Sequence, residues 1–395
     1  MFEILAYILA GCFLGIISGI LPGIHINLLS IMLATYLPNA DIRIAACIIA
    51  MGIVHSFVDF IPSICFGAPH EDNFINVLPG HRYFMKGQAY KAIMLTVIGG
   101  LFGIMLGLLF LPIFFTIGTK FFYEIREFFG YILIATMLMM ILSEKGNKKM
   151  WAVLIVLLSG FLGQIVLRSS SVENGLFAAI TGLFGISTLL ESINENIISR
   201  KQIMKDICIK KIEAFKGSAL SVFGGSIVAL IPGLGPNQAA FLVRQFYGRM
   251  RTQSYLIMIG GINTVNLMFS FFALYSIGKG RSGPAVAIQN LIFLEKSQIL
   301  LIIATILIAA SFGVFITIFI AKRILNKINK INYKKLNIAI LIFVIVVIMA
   351  MAGGKGLLIA GTATAIGMVT IKTGIKRSLC MAFLILPIAI YYLTL

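Results

Sequence analysis

Residues 297–321 run for 25 positions without a charged side chain, and residues 92–117 for 26. A helix rises about 1.5 Å per residue, so roughly 20 such residues cross the hydrocarbon core of a bilayer, about 30 Å thick. Runs of this kind recur to the end of the chain, and they constrain the fold more than any other feature. Composition agrees: 59% of the 395 residues are hydrophobic and 12% charged, against about 25% charged in soluble domains. The sequence therefore specifies an all-α polytopic membrane protein. A transmembrane β-barrel is excluded, because its strands alternate polar and apolar residues and give no unbroken apolar runs.

The net charge of +18 would suggest nucleic acid in a soluble protein. Here there is no soluble domain to hold a duplex and no interleaving of aromatic and basic residues, so nucleic acid is not an expected partner. The basic residues fit cytoplasmic loops instead. Cys12, Cys47, Cys65, Cys208 and Cys380 are scattered, with no Cys-x-x-Cys pair; they serve as small apolar filler, not as a disulfide or zinc framework. The stretch "MFEILAYILAGCFLGIISGILPG" has no basic start and no small-residue cleavage site, which predicts a retained membrane segment.

Two apolar runs are broken in the same way. "LPGIHIN" at 21–27 and "IPGLGPNQ" at 231–238 each place Pro-Gly where a helix would be about to finish crossing. Apolar runs over 4–21, 28–37 and 44–66 are followed by the polar "GAPHEDNFINVLPGHR" and then by spans near 92–117, 128–143, 150–167 and 174–190. After 191–216 the pattern restarts: 217–231, 239–247, 254–277, the interruption "GKGRSGP", 285–294, and spans near 297–321, 336–352, 356–371 and 379–394. The organisation predicted is a first membrane repeat (1–190), a cytoplasmic linker (191–216) and a second membrane repeat (217–395). Each repeat is a re-entrant helical hairpin, an interrupted helix and four plain spans. Gly15, Pro22, Gly23 and Asn27 match Gly225, Pro232, Gly233 and Asn237 at a constant offset of 210, and "MGIVHSF" (51–57) lies over "GGINTVN" (260–266).

Charge tests this plan. With the basic linker in the cytoplasm, counting spans outward puts 24 Lys and Arg residues inside and six outside, leaving Lys279 and Arg281 within an interruption. That is the bias the positive-inside rule requires. Both termini are then extracytoplasmic, the first hairpin enters from outside and the second from the cytoplasm. The two halves become inverted-topology repeats, an arrangement in which secondary transporters hold substrate at the midplane between broken helices.

Candidate residues follow from the interruptions. Non-helical backbone at membrane depth is tolerated where it lines a cavity, and a helix starting after such a turn offers free N–H groups to an anion. Gly23 and Asn27, and Gly233, Gly235 and Asn237, occupy these positions; a lone Pro-Gly would be read as a kink, a matched pair as a site. "FGAPHEDNF" supplies His70, Glu71 and Asp72, with Asp59 upstream. Carboxylates within the membrane bind a cation or carry a proton, and His70 titrates near neutrality; the alternative places the cluster just outside the bilayer, solvated. Lys279 and Arg281, flanked by glycines, suit a carboxylate or phosphate, or else snorkel to the interface. Asn263, Thr264 and Asn266 in "NTVN" either bond neighbouring helices or ligate Na⁺ or substrate. His55 and Ser56 in the first half are equally open. No metal-ligand spacing and no cofactor signature is present.

These stretches together resemble a known family. "GIISGILPG" (15–23), "GAP" (67–69) with "PGHRYFMKGQAYKAI" (79–93), "GGSIVALIPGLGPN" (224–237), "NTVN" and "GKGRSGPAVAI" (278–288) are similar to the permease subunit of tripartite tricarboxylate transporters, in the shorter form found in archaea. "MKGQAYKA" (85–92) is the most specific match. The resemblance implies a many-span permease for a carboxylate, driven by Na⁺ or H⁺, in some systems with a small membrane subunit and an extracytoplasmic binding protein. The chain departs from the pattern in its shorter length, in the charged "APHEDNF" where the family has small residues, and in Lys279 and Arg281.

The function expected is a secondary active transporter of a small organic anion in the cell membrane, with Na⁺ or H⁺ as coupling ion. Gly23, Asn27, Gly233, Gly235, Asn237, Asn263, Thr264, Asn266, Lys279 and Arg281 frame the substrate. Asp59, His70, Glu71 and Asp72 serve the coupling ion. A homodimer is a further assembly the reading allows. Its rivals are a membrane-embedded enzyme built on His70 and its carboxylates, and a channel.

Overall fold

The structure, a computed structural model, describes residues 2–21, 26–37, 41–66, 74–169, 174–194, 201–204, 209–328 and 333–394. Among these residues it is all helical, and ten stretches are long and apolar enough to cross a membrane. The first half contains α1 (Phe2–Ile20), α2 (Ile26–Tyr36), α3 (Ile42–Val58), α4 (Phe60–Phe66), α5 (Phe74–Met85), α6 (Ala89–Leu109), α7 (Leu111–Ile113), α8 (Thr119–Ile125), α9 (Phe129–Leu142), α10 (Lys148–Arg168), α11 (Gly175–Ile180) and α12 (Ser187–Asn194). The second contains α13 (Lys211–Leu230), α14 (Pro236–Tyr247), α15 (Thr252–Ile277), α16 (Gly283–Leu291), α17 (Ile299–Lys327), α18 (Tyr333–Thr373) and α19 (Ala382–Thr394).

Local chemistry explains most of the breaks. Pro62 has no N–H to give the Val58 carbonyl, and its ring crowds that oxygen; the helix accordingly breaks at Asp59, between α3 and α4. Pro112 opens α7 after α6 has ended at Leu109, so the apolar run 92–117 divides near Phe110 and does not make one span. A π-helical turn (Phe114–Gly118) and a 3₁₀ turn (Arg126–Phe128) then carry the chain into α9. Within α18, Gly353 adopts φ 62° and ψ −165°. Asn174 donates to the Met351 carbonyl before this point, and Asn337 to Ser192. Gly356 packs on Ala178, and Gly367 on Ser187, after it. The segment before Gly353 thus runs antiparallel to 174–194 and the segment after it runs parallel. The two halves of α18 are separate crossings, in line with the spans read at 336–352 and 356–371.

Part of the linker is docked. Gln202 is buried; its Oε1 accepts from Ala89 N at 3.1 Å and its Nε2 donates to Phe84 O at 3.1 Å, while Ile203 N donates to Gly87 O at 2.8 Å. Residues 201–204 therefore satisfy the turn between α5 and α6.

Packing recurs between the halves. A Cβ on Gly15 would meet Val54 Cβ and His55 N; one on Gly225 would meet Val265 Cβ and Asn266 N. Gly103 of the first half packs on Val265 of the second, and Gly313 of the second packs on Val54 of the first. The helices exchange in the same sense: α6 lies on α15 and α17 on α3, α2 on α16 and α14 on α5. The offset is 210 for α1/α13 and 211 for α3/α15, two residues from the alignment of 51–57 with 260–266 suggested by sequence. Helices α3 and α15 cross antiparallel, with Gly52 near Phe271, Ser56 at Thr264 and Asp59 at Asn263.

Candidate functional site

The crossing of α3 and α15 holds a buried polar cluster. Asp59, His55, Ser56, Asn263, Thr264 and Ser18 of α1 are each at most 2% exposed. Asn263 Nδ2 donates to Asp59 Oδ2 at 3.1 Å. His55 Nε2 lies 3.9 Å from the same oxygen, one helical turn earlier on α3. The other ring nitrogen, Nδ1, is 2.9 Å from Ser18 Oγ. Beside them Ser56 Oγ donates to Thr264 Oγ1 at 3.2 Å, and Thr264 donates on to Gly260 O at 3.1 Å. A carboxylate in such an interior is costly unless paired and hydrogen-bonded. This one gathers a histidine and an amide, the second from the opposite half. The arrangement can hold a proton or a small cation at Asp59 and report its presence to both halves.

The second hairpin tip is ordered by its own residues. α13 ends at Leu230, Ile231 is extended, and Gly233 takes φ +80°, a left-handed conformation that glycine adopts without penalty. Gly235 and Pro236 then start α14. Asn237 and Gln238 are buried. Gln238 Oε1 accepts from Gly235 N at 3.0 Å, while its Nε2 has no hydrogen-bond partner among the described residues. Gly233 also touches Ile388 of α19.

The interruption after α15 is pinned at both ends. Ser270 Oγ accepts from Arg281 N and Ser282 N at 3.2 and 2.8 Å. Gln289 Oε1 accepts from Gly280 N at 2.8 Å, and its Nε2 donates to Gly278 O at 3.2 Å. Ser282 Oγ caps α16 by accepting from Ala285 N. The start of this helix meets the start of α2: Gly283 lies directly against the Asn27 side chain, with no room for a Cβ between them. Two helix N-termini, one from each half, thus converge at Asn27.

The predicted residues therefore fall into groups. Asp59 joins Asn263 and Thr264, although sequence assigned the first to the ion and the others to substrate. Asn27 joins the α16 turn across the halves. Gly233, Gly235 and Asn237 form the second tip. Lys279 and Arg281 separate: Lys279 is exposed, whereas the Arg281 side chain folds inward over Phe122. Asn266 is half-buried, away from the Asp59 cluster's hydrogen bonds. Gly23, His70, Glu71 and Asp72 lie outside the described residues. Sequence reasoning missed Ser18, Gln238, Phe122 and Tyr392. Gln238 carried a signal, since Gln three residues past a helix-starting Gly is placed to bond back to its N–H; the other three carried none.

Comparison with known proteins matches this architecture to a family. Residues 5–382 fit the model of the "Tripartite tricarboxylate transporter TctA family". An uncharacterized protein of Methanocaldococcus jannaschii is 30% identical over 400 residues, covering 98% of this chain and 99% of that protein. No solved structure matches the chain. With ten apolar helices, the match identifies a multi-pass membrane protein and a transporter permease component. The chain belongs to the tripartite tricarboxylate transporter TctA family.

Proposed function

We propose that this permease is a secondary active transporter that carries a small organic anion, a carboxylate, coupled to H⁺ or Na⁺. The observation that carries the reading is the Asp59–His55–Asn263 cluster, buried where one helix of each half crosses the other. An intramembrane ionisable group at a junction of two moving parts is suited to coupling, because its charge state changes the energy of their contact. The antiparallel crossing of α3 and α15 and the exchanged packing of α6 and α17 support two inverted-topology repeats. The basic linker and the 24 to 6 distribution of Lys and Arg support both termini on the extracytoplasmic side of the cell membrane. Asn27, the 233–237 tip and Arg281 frame the anion, and Asp59 serves the coupling ion.

Family membership supports assembly with a small membrane subunit and an extracytoplasmic binding protein. The test is uptake of labelled carboxylates into proteoliposomes holding the purified chain, with an imposed pH or Na⁺ gradient. Saturable accumulation against the anion's own gradient is expected. Unsaturable flux that stops at equilibrium would replace the transporter by a channel.

A further inference from the structure

Arg281 carries two guanidinium donors, Nε and Nη2, that have no hydrogen-bond partner among the described residues. Its root is fixed, because Ser270 holds both its own N–H and that of Ser282. Its guanidinium carbon lies 5.0 Å from the centroid of the Phe122 ring. Phe122 is buried and packs on Phe129 at 5.5 Å, and Phe129 meets Tyr392 edge-on at 5.4 Å. The Tyr392 phenol interacts with the guanidinium. The charge thus lies over Phe122 of α8, which is itself backed by Phe129 of α9, with Tyr392 of α19 edge-on to Phe129. Nε and Nη2 are both shielded from solvent, and neither has a hydrogen-bond partner among the described residues.

Those two nitrogens matter as a pair. Nε–H and the Nη2–H beside it form the side-on fork of a guanidinium, whose parallel donors match the two oxygens of a carboxylate. A shielded cation with an empty fork is unfavourable, and an anion in the fork removes the penalty. Arg281 takes part in no ion pair among the described residues. The other candidate cations differ. Lys279 is exposed, and Arg377 is engaged, donating Nη2 to Phe184 O and Ser187 Oγ at 3.0 Å each. The hairpin tip is close by: Gly233 rests on Ile388, and Ile388 and Tyr392 lie one turn apart on the same face of α19.

We propose that Arg281 receives one substrate carboxylate side-on through Nε and Nη2, with Phe122 as the floor beneath the guanidinium and Tyr392 as its positioning residue. The proposal rests on the transport reading above and narrows it. Among the described residues one unpartnered fork is available and seats one carboxylate, so monocarboxylates are preferred to di- and tricarboxylates.

The test uses the full chain purified in detergent, followed by thermal melting and by titration with acetate, lactate, pyruvate, succinate, citrate and inorganic phosphate. At least one monocarboxylate is expected to raise the melting temperature and to bind more tightly than succinate, citrate and phosphate. Arg281→Lys keeps the charge but loses the fork and should weaken that binding ~30-fold or more. Arg281→Met should abolish it while leaving the ligand-free melting temperature equal or higher, because a half-buried charge with two shielded, unpartnered donors has been removed. Tyr392→Phe keeps the ring on Phe129 and should weaken binding by roughly 3- to 10-fold, the range of one hydrogen bond, with ligand-free melting unchanged. The inference is overturned if Arg281→Met melts lower than the parent, if Arg281→Lys binds as well as the parent, if no monocarboxylate binds, or if phosphate, succinate or citrate is preferred. Proteoliposomes separate its failure from that of the transport reading. Gradient-driven flux that survives in Arg281→Met sinks the fork and leaves transport standing. Absence of flux for any solute in the parent sinks transport, while the melting of Arg281→Met still judges the fork.

Discussion

Asp59→Asn tests the coupling assignment with little change of shape. The substituted amide keeps an oxygen to accept from Asn263 Nδ2, so the 3.1 Å link between the halves is retained and the fold should persist. What disappears is the charge. A cation about 4 Å from the carboxylate interacts with it by about 4 kcal/mol at an effective dielectric constant of about 20. Each 1.4 kcal/mol is a factor of about ten, so the change should weaken cation or proton capture on the order of a thousandfold. A hundredfold ion gradient stores about 2.7 kcal/mol per ion, enough for about hundredfold accumulation of an anion carried with one net coupling charge. In proteoliposomes the parent should approach that ratio. Asp59→Asn should equilibrate the anion at a ratio near one while still exchanging labelled for unlabelled anion, since the anion end of the site is untouched. Accumulation by Asp59→Asn equal to that of the parent would refute Asp59 as the coupling group. Loss of exchange together with accumulation would show instead that the carboxylate holds the substrate.

Three further outcomes follow from packing and hydrogen bonding. A Cβ at Gly99 would collide with the Ile257 carbonyl, so Gly99→Val should separate α6 from α15 and destabilise the protein by ~1–3 kcal/mol or more, read as a lowered melting temperature and lost uptake. Gln202→Ala leaves Ala89 N without its acceptor and takes from Phe84 O one of its bonds, that from Gly87 N remaining; stability should fall by about 1–3 kcal/mol, and limited proteolysis should cut within 201–204 at lower protease concentration. Ser270→Ala releases Arg281 N and Ser282 N and should raise the KM for anion uptake about tenfold or more while lowering stability by about 1–3 kcal/mol, because the interruption loses its clamp while α15 keeps its packing.

The crossings were legible because a bilayer imposes one rule on them: about 20 apolar residues without charge. Runs at 150–167 and 254–277 became α10 and α15 with ends within a few residues. The break at Asp59 was less legible, since its cause, Pro62, sits inside an apolar stretch that otherwise reads as continuous. The run 92–117 misled for a related reason: hydropathy does not register the helix end near Phe110, where the backbone geometry changes ahead of Pro112. For the site, residue type told which groups were expensive to bury, which is why Asp59, Asn263 and Arg281 stood out. It did not tell which would meet. Asp59 and Asn263 are 204 positions apart, and their contact depends on the antiparallel crossing of α3 and α15. Phe122 and Tyr392 look like ordinary membrane aromatics in sequence; only the path of the 278–282 turn brings Arg281 onto one and beside the other.

The repeat register adds a reason for the two ends of the site to differ. At the offset of 211 that the α3 and α15 contacts follow, Asp59 corresponds to Ser270. Both sit near the end of the interrupted crossing of their half, and both hold backbone or side chain across a break. Ser63 Oγ donates to the Asp59 carbonyl at 2.8 Å just past the α3 break, and Ser270 Oγ accepts from the turn that carries Arg281. The same structural position thus supplies an ionisable side chain in one half and a neutral clamp for a cation-bearing turn in the other. A pair of identical carboxylates would repel across the crossing and would leave the anion nothing to bind. On the transport reading proposed above, a carboxylate in one half and a guanidinium turn in the other would let a cation and an anion enter together, each compensating the other's charge in a low-dielectric interior. Moving that neutralised pair costs less than moving either ion alone. If the proposed symport of an organic anion holds, this asymmetry between the two halves is what it requires of the two ends of the site.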